Sequence, residues 1–522
     1  MLERRFSALN LLLLNINGMV GSAWLFAPLY AAQMAGSSAI IAWILGGIAT
    51  ICVALTFAEL STLLPQAGGS LRIPQISHGE FAGFIMCWIS WLSCVTMPPI
   101  EVLAVLQYAS AYFPALTHKI NNTHVLTLLG YTWATATMLF LSFINIASFR
   151  GLVRVNQLLF SFKILVMVFT AIFLVKTSFH ASNFFALGGE KIVLNWHDIF
   201  TAIASGGIAF AFTGFKHSVE MAGEVKNSNF SIPLAIVGSV VICLLLYLLL
   251  QVAFIGALPS NLLQHGWHTL AFTGDAGPFV GLAGILGLML LVKFLYVDAA
   301  VSPLGAGLIY LTSTSRVIYA LSKSGYVPPV FSNLNKKGFP VWAVFFNFAV
   351  GMLLFMPFPA WQNMVAFLVS AVVISYAMGP VALLCLRKII PDGDRPFRLQ
   401  ISYILCLIAF YFCNLMCYWT GWETIYKLAI ALVIGMVLFG FAFIRHKKTY
   451  HGAGLKAAFW IGPYLLGLVL ISYFGSFGGN NTINFGWDFL VIGVFSVIML
   501  HLAIAMRREY LQGDELVSSN EL

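Results

Sequence analysis

Six ionisable side chains lie inside long apolar stretches of this chain: Glu59, Glu101, Lys163, Lys216, Lys293 and Asp298. In a hydrocarbon setting each costs about 2.5–3.5 kcal/mol at a helix centre on insertion scales, so each needs a partner or a task such as moving a proton. Several have ordinary readings. Glu59 sits near the end of its run and fits a structural ion pair. Lys293 can snorkel towards an interface. Glu101 follows Pro98-Pro99 in an unusually long run and either lines a vestibule or faces water. Lys163 lies ten residues into its run and is either a working cation or half of a static salt bridge. Lys216 either meets an anionic ligand or pairs with Glu220, one helical turn on.

Glycines and small polar residues interrupt two of the same stretches. Asn17-Gly18-Met19-Val20-Gly21-Ser22 lies at the centre of the first, and Ser205-Gly206-Gly207 followed by Phe212-Thr213-Gly214 lies in the sixth. Glycine lowers helix stability by about 1 kcal/mol relative to alanine and lets a backbone approach a ligand. Helix–helix packing through small residues is the plain alternative, although Gly18 and Gly21 are three apart rather than four. The positions count for more than the composition. Breaks five runs apart, in corresponding places of two halves, point to a binding site at mid-membrane.

The elements that carry these residues follow from composition. Of 522 residues, 60% are hydrophobic and only 9% charged, with 15% aromatic. Soluble domains carry roughly 25% charged residues, so lipid is the solvent that fits. The spacing predicts membrane helices over 8–31, 39–64, 80–112, 124–147, 153–176, 198–219, 232–257, 283–312, 340–357, 362–386, 401–419, 423–444, 457–475 and 487–506. These fourteen runs are near the length a bilayer core requires and too long for barrel strands, so the expected fold is an all-α polytopic membrane protein. The first run shows no small-residue cleavage site and reads as a helix rather than a signal peptide.

With the N-terminus inside, twenty Lys and Arg fall in inside loops, while the outside keeps Lys119, Lys176, Lys191 and Lys427. That asymmetry puts both termini in the cytoplasm. The tail from Gln512 to Leu522 is polar and is expected to be disordered. The net charge of +9 is spread through short gaps between apolar runs, which argues against a nucleic-acid partner. All eight cysteines lie in apolar runs without a CxxC pair. Cys413 and Cys417 share a helix face and read as small hydrophobes, so neither a disulfide framework nor a metal site is expected. No HExxH, GxSxG, P-loop or paired acidic motif is present, so no enzyme chemistry and no cofactor is expected.

Several ordered motifs resemble the amino acid–polyamine–organocation permeases. Gly21-Ser22-Ala23-Trp24-Leu25-Phe26 resembles their first-helix signature, and Ala58-Glu59-Leu60 with Pro65 and Ala67-Gly68-Gly69 the end of the second. Gly214-Phe215, Ala222-Gly223-Glu224-Val225-Lys226-Asn227 and Ile232-Pro233 resemble the sixth helix and the loop after it. Ser315-Arg316-Val317-Ile318-Tyr319-Ala320 with Gly325 resembles the exit of the eighth, and Arg387-Lys388, Pro391 and Arg395-Pro396-Phe397 the loop after the tenth. Finer features are similar to the bacterial aspartate–proton symporter branch: Gly69-Ser70-Leu71-Arg72, Ser77-His78-Gly79, Pro99-Ile100-Glu101, His217-Ser218-Val219 and Tyr296-Val297-Asp298-Ala299.

The resemblance implies a LeuT-type five-plus-five inverted repeat over residues 1–398, with repeats near 8–176 and 198–386. About four accessory helices would then follow over 399–506, rather than the usual two, with a polar tail at 507–522. It implies a secondary amino acid transporter in the bacterial inner membrane, by proton symport, with acidic substrates such as aspartate or glutamate. Exchange by the same fold, or a non-transporting sensor or channel, are the rival readings. The substrate carboxylate is placed on the N–H groups of Gly21, Ser22 and Ala23, and the ammonium on carbonyls of Met19, Phe210 and Thr213, with Phe212 and Gly214 in the same broken segment. Ala23 departs from the glycine usual there, and Lys216 replaces a usual glutamate. Lys216 and Glu101 are assigned to selectivity. Lys163 and Asp298 are assigned to proton coupling, because helices one, five and eight surround a sodium site in sodium-driven relatives and some proton-coupled ones carry a lysine there.

Overall fold

The structure is a computed structural model that describes residues 6–66, 68–120, 123–147, 149–187, 190–191, 194–272, 277–335, 338–391, 393, 395–445 and 454–509. Arg4, Arg5, Ala67, Lys336, Lys337, Lys447, Lys448 and the polar tail from Gln512 lie outside these residues.

The first apolar run is two helices, α1 (Ala8–Met19) and α2 (Ala23–Ala35), separated by Val20, Gly21 and Ser22. A turn at Gly36–Ser38 leads into α3 (Ala39–Leu63). The short α4 (Gly69–His78) then meets α5 (Glu80–Ala109) at Gly79, whose φ of 87° suits glycine. α5 continues through Pro98 and Pro99. A small antiparallel hairpin, Thr117–Ile120 with Thr123–Leu126, precedes α6 (Leu128–Ala147) and α7 (Phe149–Thr177).

The sixth run is broken as well. α8 (Trp196–Ser205) ends at Gly206, and Gly207, with φ of 95°, starts α9 (Ile208–Ala211), which leads through a tight turn at 213–215 into α10 (Lys216–Glu220). The two parts of this run are bent by 42°. α11 (Ser228–Ala257), the short α12 (Pro278–Ile285) and α13 (Met289–Lys323) follow. The apolar run predicted over 283–312 therefore starts later and ends later as a helix. The more polar stretch from Thr312 to Lys323 prolongs α13 because a helix need not stop where hydropathy falls. α14 (Val341–Leu354), α15 (Trp361–Ile389), α16 (Ser402–Trp419), α17 (Trp422–Arg445), α18 (Leu455–Ala458), α19 (Ile461–Phe474) and α20 (Trp487–Ala505) complete the chain.

Among the described residues, ten helical stretches are long and apolar enough to cross a bilayer, or eleven with the bent sixth run. The protein is thus an all-α multi-span membrane protein. One of the ten, Ala23–Leu63, contains α2, the Gly36–Ser38 turn and α3. The reading of fourteen spans is finer than this count, since it joins α1 to α2 and gives α3, α14 and α17 crossings of their own. Large apolar side chains such as Leu128, Phe143, Leu245, Leu290, Val433 and Leu490 are exposed, as lipid-facing positions require.

α5 and α15 form the buried centre, α5 packing along α13 and α15, while α1 lies along α11. Asn15 pins α1 in place. Its amide donates to Ala235 O (2.9 Å), and its carbonyl accepts from the Ser218 N–H (3.2 Å) and hydroxyl (3.0 Å). Ahead of α1, Phe6 N–H donates to Glu224 O (3.1 Å) and Lys226 N–H to Phe6 O (2.9 Å), a backbone bridge to the loop after α10. The C-terminal helices brace both faces of this assembly. Phe200 of α8 stacks on Trp419 (4.4 Å), and buried His78 meets Ala503 O of α20 (3.1 Å).

Glu59 is wholly buried and gathers the α15 exit. It accepts from Arg387 Nε (2.9 Å) and Nη2 (2.7 Å) and from Leu399 N–H (2.8 Å), with Arg395 at 3.5 Å. Removing one partner of a buried pair costs roughly 3–5 kcal/mol, and the remaining Arg395 reduces that. Arg387→Ala should therefore lower the melting temperature of the detergent-solubilised protein, and Glu59→Gln added to it should restore part of the loss. Strictly additive losses in the double variant would show that the two residues do not interact.

Candidate functional site

The break between α1 and α2 leaves unsatisfied carbonyls at the end of one helix and N–H groups at the start of the next. In a water-free interior these must find partners. Two charged side chains supply them. Ser22 N–H donates to Glu101 Oε2 (2.8 Å), and a side chain built on Gly21 would collide with the same carboxylate and with Ala306. On the opposite end, Lys163 Nζ donates to Val20 O (3.1 Å), to Asn17 Oδ1 (2.9 Å) and to Ser302 O of α13 (3.1 Å). The cation thus sits at the carbonyl end and the anion at the N–H end, each where the helix dipole favours it. Glu101 is 1% exposed and Lys163 is fully buried. Glu101 therefore does not face water, and its place is inside the break itself.

Asp298 stands behind Lys163 on α13, one turn from Ser302, whose hydroxyl donates to Asp298 Oδ2 (2.8 Å). Its other oxygen and the Trp24 indole N–H both lack a partner of good geometry, and they lie close enough to interact. Lys163 and Asp298 are thus neighbours through Ser302 rather than a direct ion pair.

The three carbonyls expected to take an ammonium are each occupied by a hydroxyl. Met19 O accepts from Tyr247 OH (3.0 Å), Phe210 O from the Thr213 hydroxyl (2.9 Å), and Thr213 O from Tyr376 OH (2.8 Å). Met19 O also accepts from the Gly21 N–H (3.1 Å), so both of its lone pairs are taken and an ammonium there must displace a donor already in place. Gly214 lets the α9–α10 turn pack directly on α1, since a Cβ there would lie 2.6 Å from Met19 N. Ala23 begins α2 at the same break.

Aromatic rings cover the α2 side. The Trp361 indole donates to the Ser22 hydroxyl (2.9 Å), meets Phe210 edge-on (5.7 Å) and lies against Phe26 and Tyr30. Gly207 is needed beneath it, because a Cβ there would meet the Trp361 ring at 2.9 Å.

The structure therefore brings together Met19, Gly21, Ser22, Ala23, Glu101, Phe210, Thr213 and Gly214, with Lys163 and Asp298 adjoining. Two expected residues point elsewhere. The Phe212 ring packs on Trp43 and Tyr247. Lys216 donates to Ser90 Oγ (2.9 Å) and Ser375 Oγ (2.6 Å), and it neither reaches the cradle nor pairs directly with Glu220. Ser90 lies eleven residues before Glu101 on α5, about 16 Å along the helix at 1.5 Å per residue. Residues that sequence reasoning missed are Trp361, Tyr247, Tyr310, Tyr376 and Ser302. They carry no distinguishing signal in a chain rich in aromatic and small polar residues.

A family profile described as amino acid permease matches residues 6–439. The chain belongs to that family. The permease is 36% identical over 530 residues to the glutamate/serine transporter AimA of Bacillus subtilis (strain 168), covering 100% of this chain and 97% of that one. It is 32% identical over 505 residues to the aspartate-proton symporter of the same organism, covering 96% of each, and 26% identical over 465 residues to its branched-chain amino acid permease BcaP, covering 86% and 94%. The permease is an amino acid transporter of the amino acid–polyamine–organocation family, not an enzyme.

Because Gly21 is the point where backbone and carboxylate meet, Gly21→Val should abolish amino acid binding while membrane insertion stays normal. The check is substrate-induced thermal stabilisation of the purified variant. Stabilisation equal to wild type would remove Gly21 from the site.

Proposed function

We propose that this permease is a proton-coupled symporter of amino acids with acidic substrates such as glutamate or aspartate among its cargo. One observation carries the coupling reading: the Lys163 ammonium bonds three oxygens, Asn17 Oδ1, Val20 O and Ser302 O, that join the break in α1 to α13. Such a set of oxygens is also what a sodium ion would take. A sodium ion beside the ammonium would meet like-charge repulsion in a low-dielectric setting. A lysine, unlike a sodium ion, can give up a proton.

Glu101 supports the same reading from the other side of the break. Its carboxylate holds the N–H that the substrate carboxylate needs, so the two compete. A proton on Glu101 removes the charge that fits the N–H end, and the substrate carboxylate takes its place. Its release returns Glu101 to Ser22. Asp298, beside Ser302, is the acceptor nearest to Lys163 in this scheme. The acidic cargo is drawn from the relatives, whose names specify glutamate, serine and aspartate.

The architecture within this reading is the LeuT type. Residues 1–398 form the ten-helix core, with repeats near 8–176 and 198–386, and four accessory crossings follow within 399–506, giving fourteen in all. The protein resides in the bacterial inner membrane with both termini cytoplasmic, in line with the placement of Lys and Arg.

In liposomes with acid outside, the wild type should accumulate aspartate or serine without sodium, and Lys163→Ala should lose the dependence on the pH gradient. Strict sodium dependence would refute proton coupling. Exchange that requires internal amino acid and ignores the pH gradient would favour an exchanger.

Charge arithmetic adds a second expectation. Serine with one proton carries one net charge, and 100 mV is worth about 2.3 kcal/mol per charge. Aspartate with one proton carries none and draws on the pH gradient alone, about tenfold accumulation per pH unit at 1.4 kcal/mol. An imposed negative-inside potential should therefore raise serine uptake and leave aspartate uptake unchanged. Equal stimulation of both would rule out a one-proton stoichiometry for both.

A further inference from the structure

Below the cradle, five side chains form a continuous polar chain across four helices. Ser375 of α15 accepts from Lys216 of α10 (2.6 Å), and Lys216 also donates to Ser90 of α5 (2.9 Å). The Ser90 and Ser70 hydroxyls bond to each other (3.1 Å), and Ser70 of α4 in turn donates to Glu220, with its N–H at 3.2 Å from the same carboxylate. Gly68 N–H also donates to Glu220 O (3.0 Å). The chain thus ties the far end of the broken sixth run to α4, α5 and α15.

Lys216 is the unusual member. It is 7% exposed, yet both of its hydrogen-bond partners are neutral hydroxyls. Among the described residues no carboxylate lies within ion-pair distance of it, and Glu220 is reached only through Ser90 and Ser70. A buried ammonium without a direct counter-ion is costly, whereas a carboxylate against it forms one of the stronger hydrogen bonds available. Tyr376 stands between this point and the cradle, its hydroxyl on Thr213 O (2.8 Å) and its ring 5.5 Å from Lys216 Nζ.

We propose that Lys216, with Ser90 and Ser375, is a second carboxylate-binding point beyond the cradle, which takes the acidic side chain of a departing substrate and thereby breaks the Ser375–Lys216–Ser90–Ser70–Glu220 chain that holds α10 shut. The proposal rests on the reading that acidic amino acids are cargo. It assigns Lys216 to the exit rather than to initial binding. A neutral amino acid has no side-chain carboxylate to offer and passes without this exchange.

The test separates binding from turnover in the full-length protein. Affinity for aspartate and serine is measured by thermal stabilisation, and turnover by exchange in liposomes, for wild type, Lys216→Gln and Lys216→Arg. Lys216→Gln should keep both affinities within about twofold. Its aspartate turnover should fall about tenfold or more relative to serine, the scale of one lost charge-assisted hydrogen bond, and Lys216→Arg should recover most of it. Aspartate affinity falling in step with turnover would return Lys216 to the cradle and overturn the proposal, as would equal loss for both substrates or no loss. Should Lys216→Gln fail to fold, Ser90→Ala/Ser375→Ala reads the same point. With the two hydroxyls of this point gone, aspartate turnover should slow relative to serine at unchanged affinity, and no selective change would overturn it. A wild type that moves serine but no acidic amino acid would sink the acidic-cargo reading and this proposal with it. A wild type that moves aspartate as well as its Lys216→Gln variant does would sink this proposal alone.

Discussion

The structure turns on one broken helix whose two raw ends are each met by a charge of the fitting sign. Lys163 fills the carbonyl end at Val20, and Glu101 fills the N–H end at Ser22. Either charge alone, buried at this depth, would be a large unfavourable term. Placed on opposite ends of the same break, each repairs what the break exposes. Both raw ends of the break are therefore satisfied by side chains of ionisable type.

From this follows the layout of the rest. Lys163 reaches the break only because α7 passes beside both α1 and α13, and Ser302 offers its carbonyl from the latter. Glu101 reaches it because α5 is buried along most of its length, carrying a carboxylate past Pro98 and Pro99 into the centre. The tyrosines at 247, 310 and 376 add hydroxyls that touch Met19 O, the Thr213 hydroxyl and Thr213 O without adding charge. Net charge near the cradle is thus kept to the few groups that can change it.

Much of the frame was legible in the sequence for a simple reason: lipid imposes one pattern on every crossing segment. Gly206-Gly207 and the Asn17–Ser22 stretch stood out because helices tolerate such clusters poorly, and both lie at breaks. Glu59 was readable as half of a structural pair because it lies near the end of its apolar run, though its partners Arg387 and Arg395 were not. Side-chain direction was not legible. Lys216 and Phe212 share a short segment with Thr213 and Gly214, yet a turn at 213–215 sends them to different neighbours. Trp361 was silent because one tryptophan among 13 gives no sign of standing over a glycine 154 residues earlier in the chain. The helix α4 was missed because its mean hydropathy is close to neutral and it carries Pro74.

The small backbone bridge at Phe6 has a mechanical meaning. Phe6 opens the chain into α1, and its two hydrogen bonds run to Glu224 O and Lys226 N–H, just past α10. Asn15 and the close packing of Gly214 add further ties between the same two helices. Tied at both ends, α1 and α10 can part from one another only when these hydrogen bonds are broken.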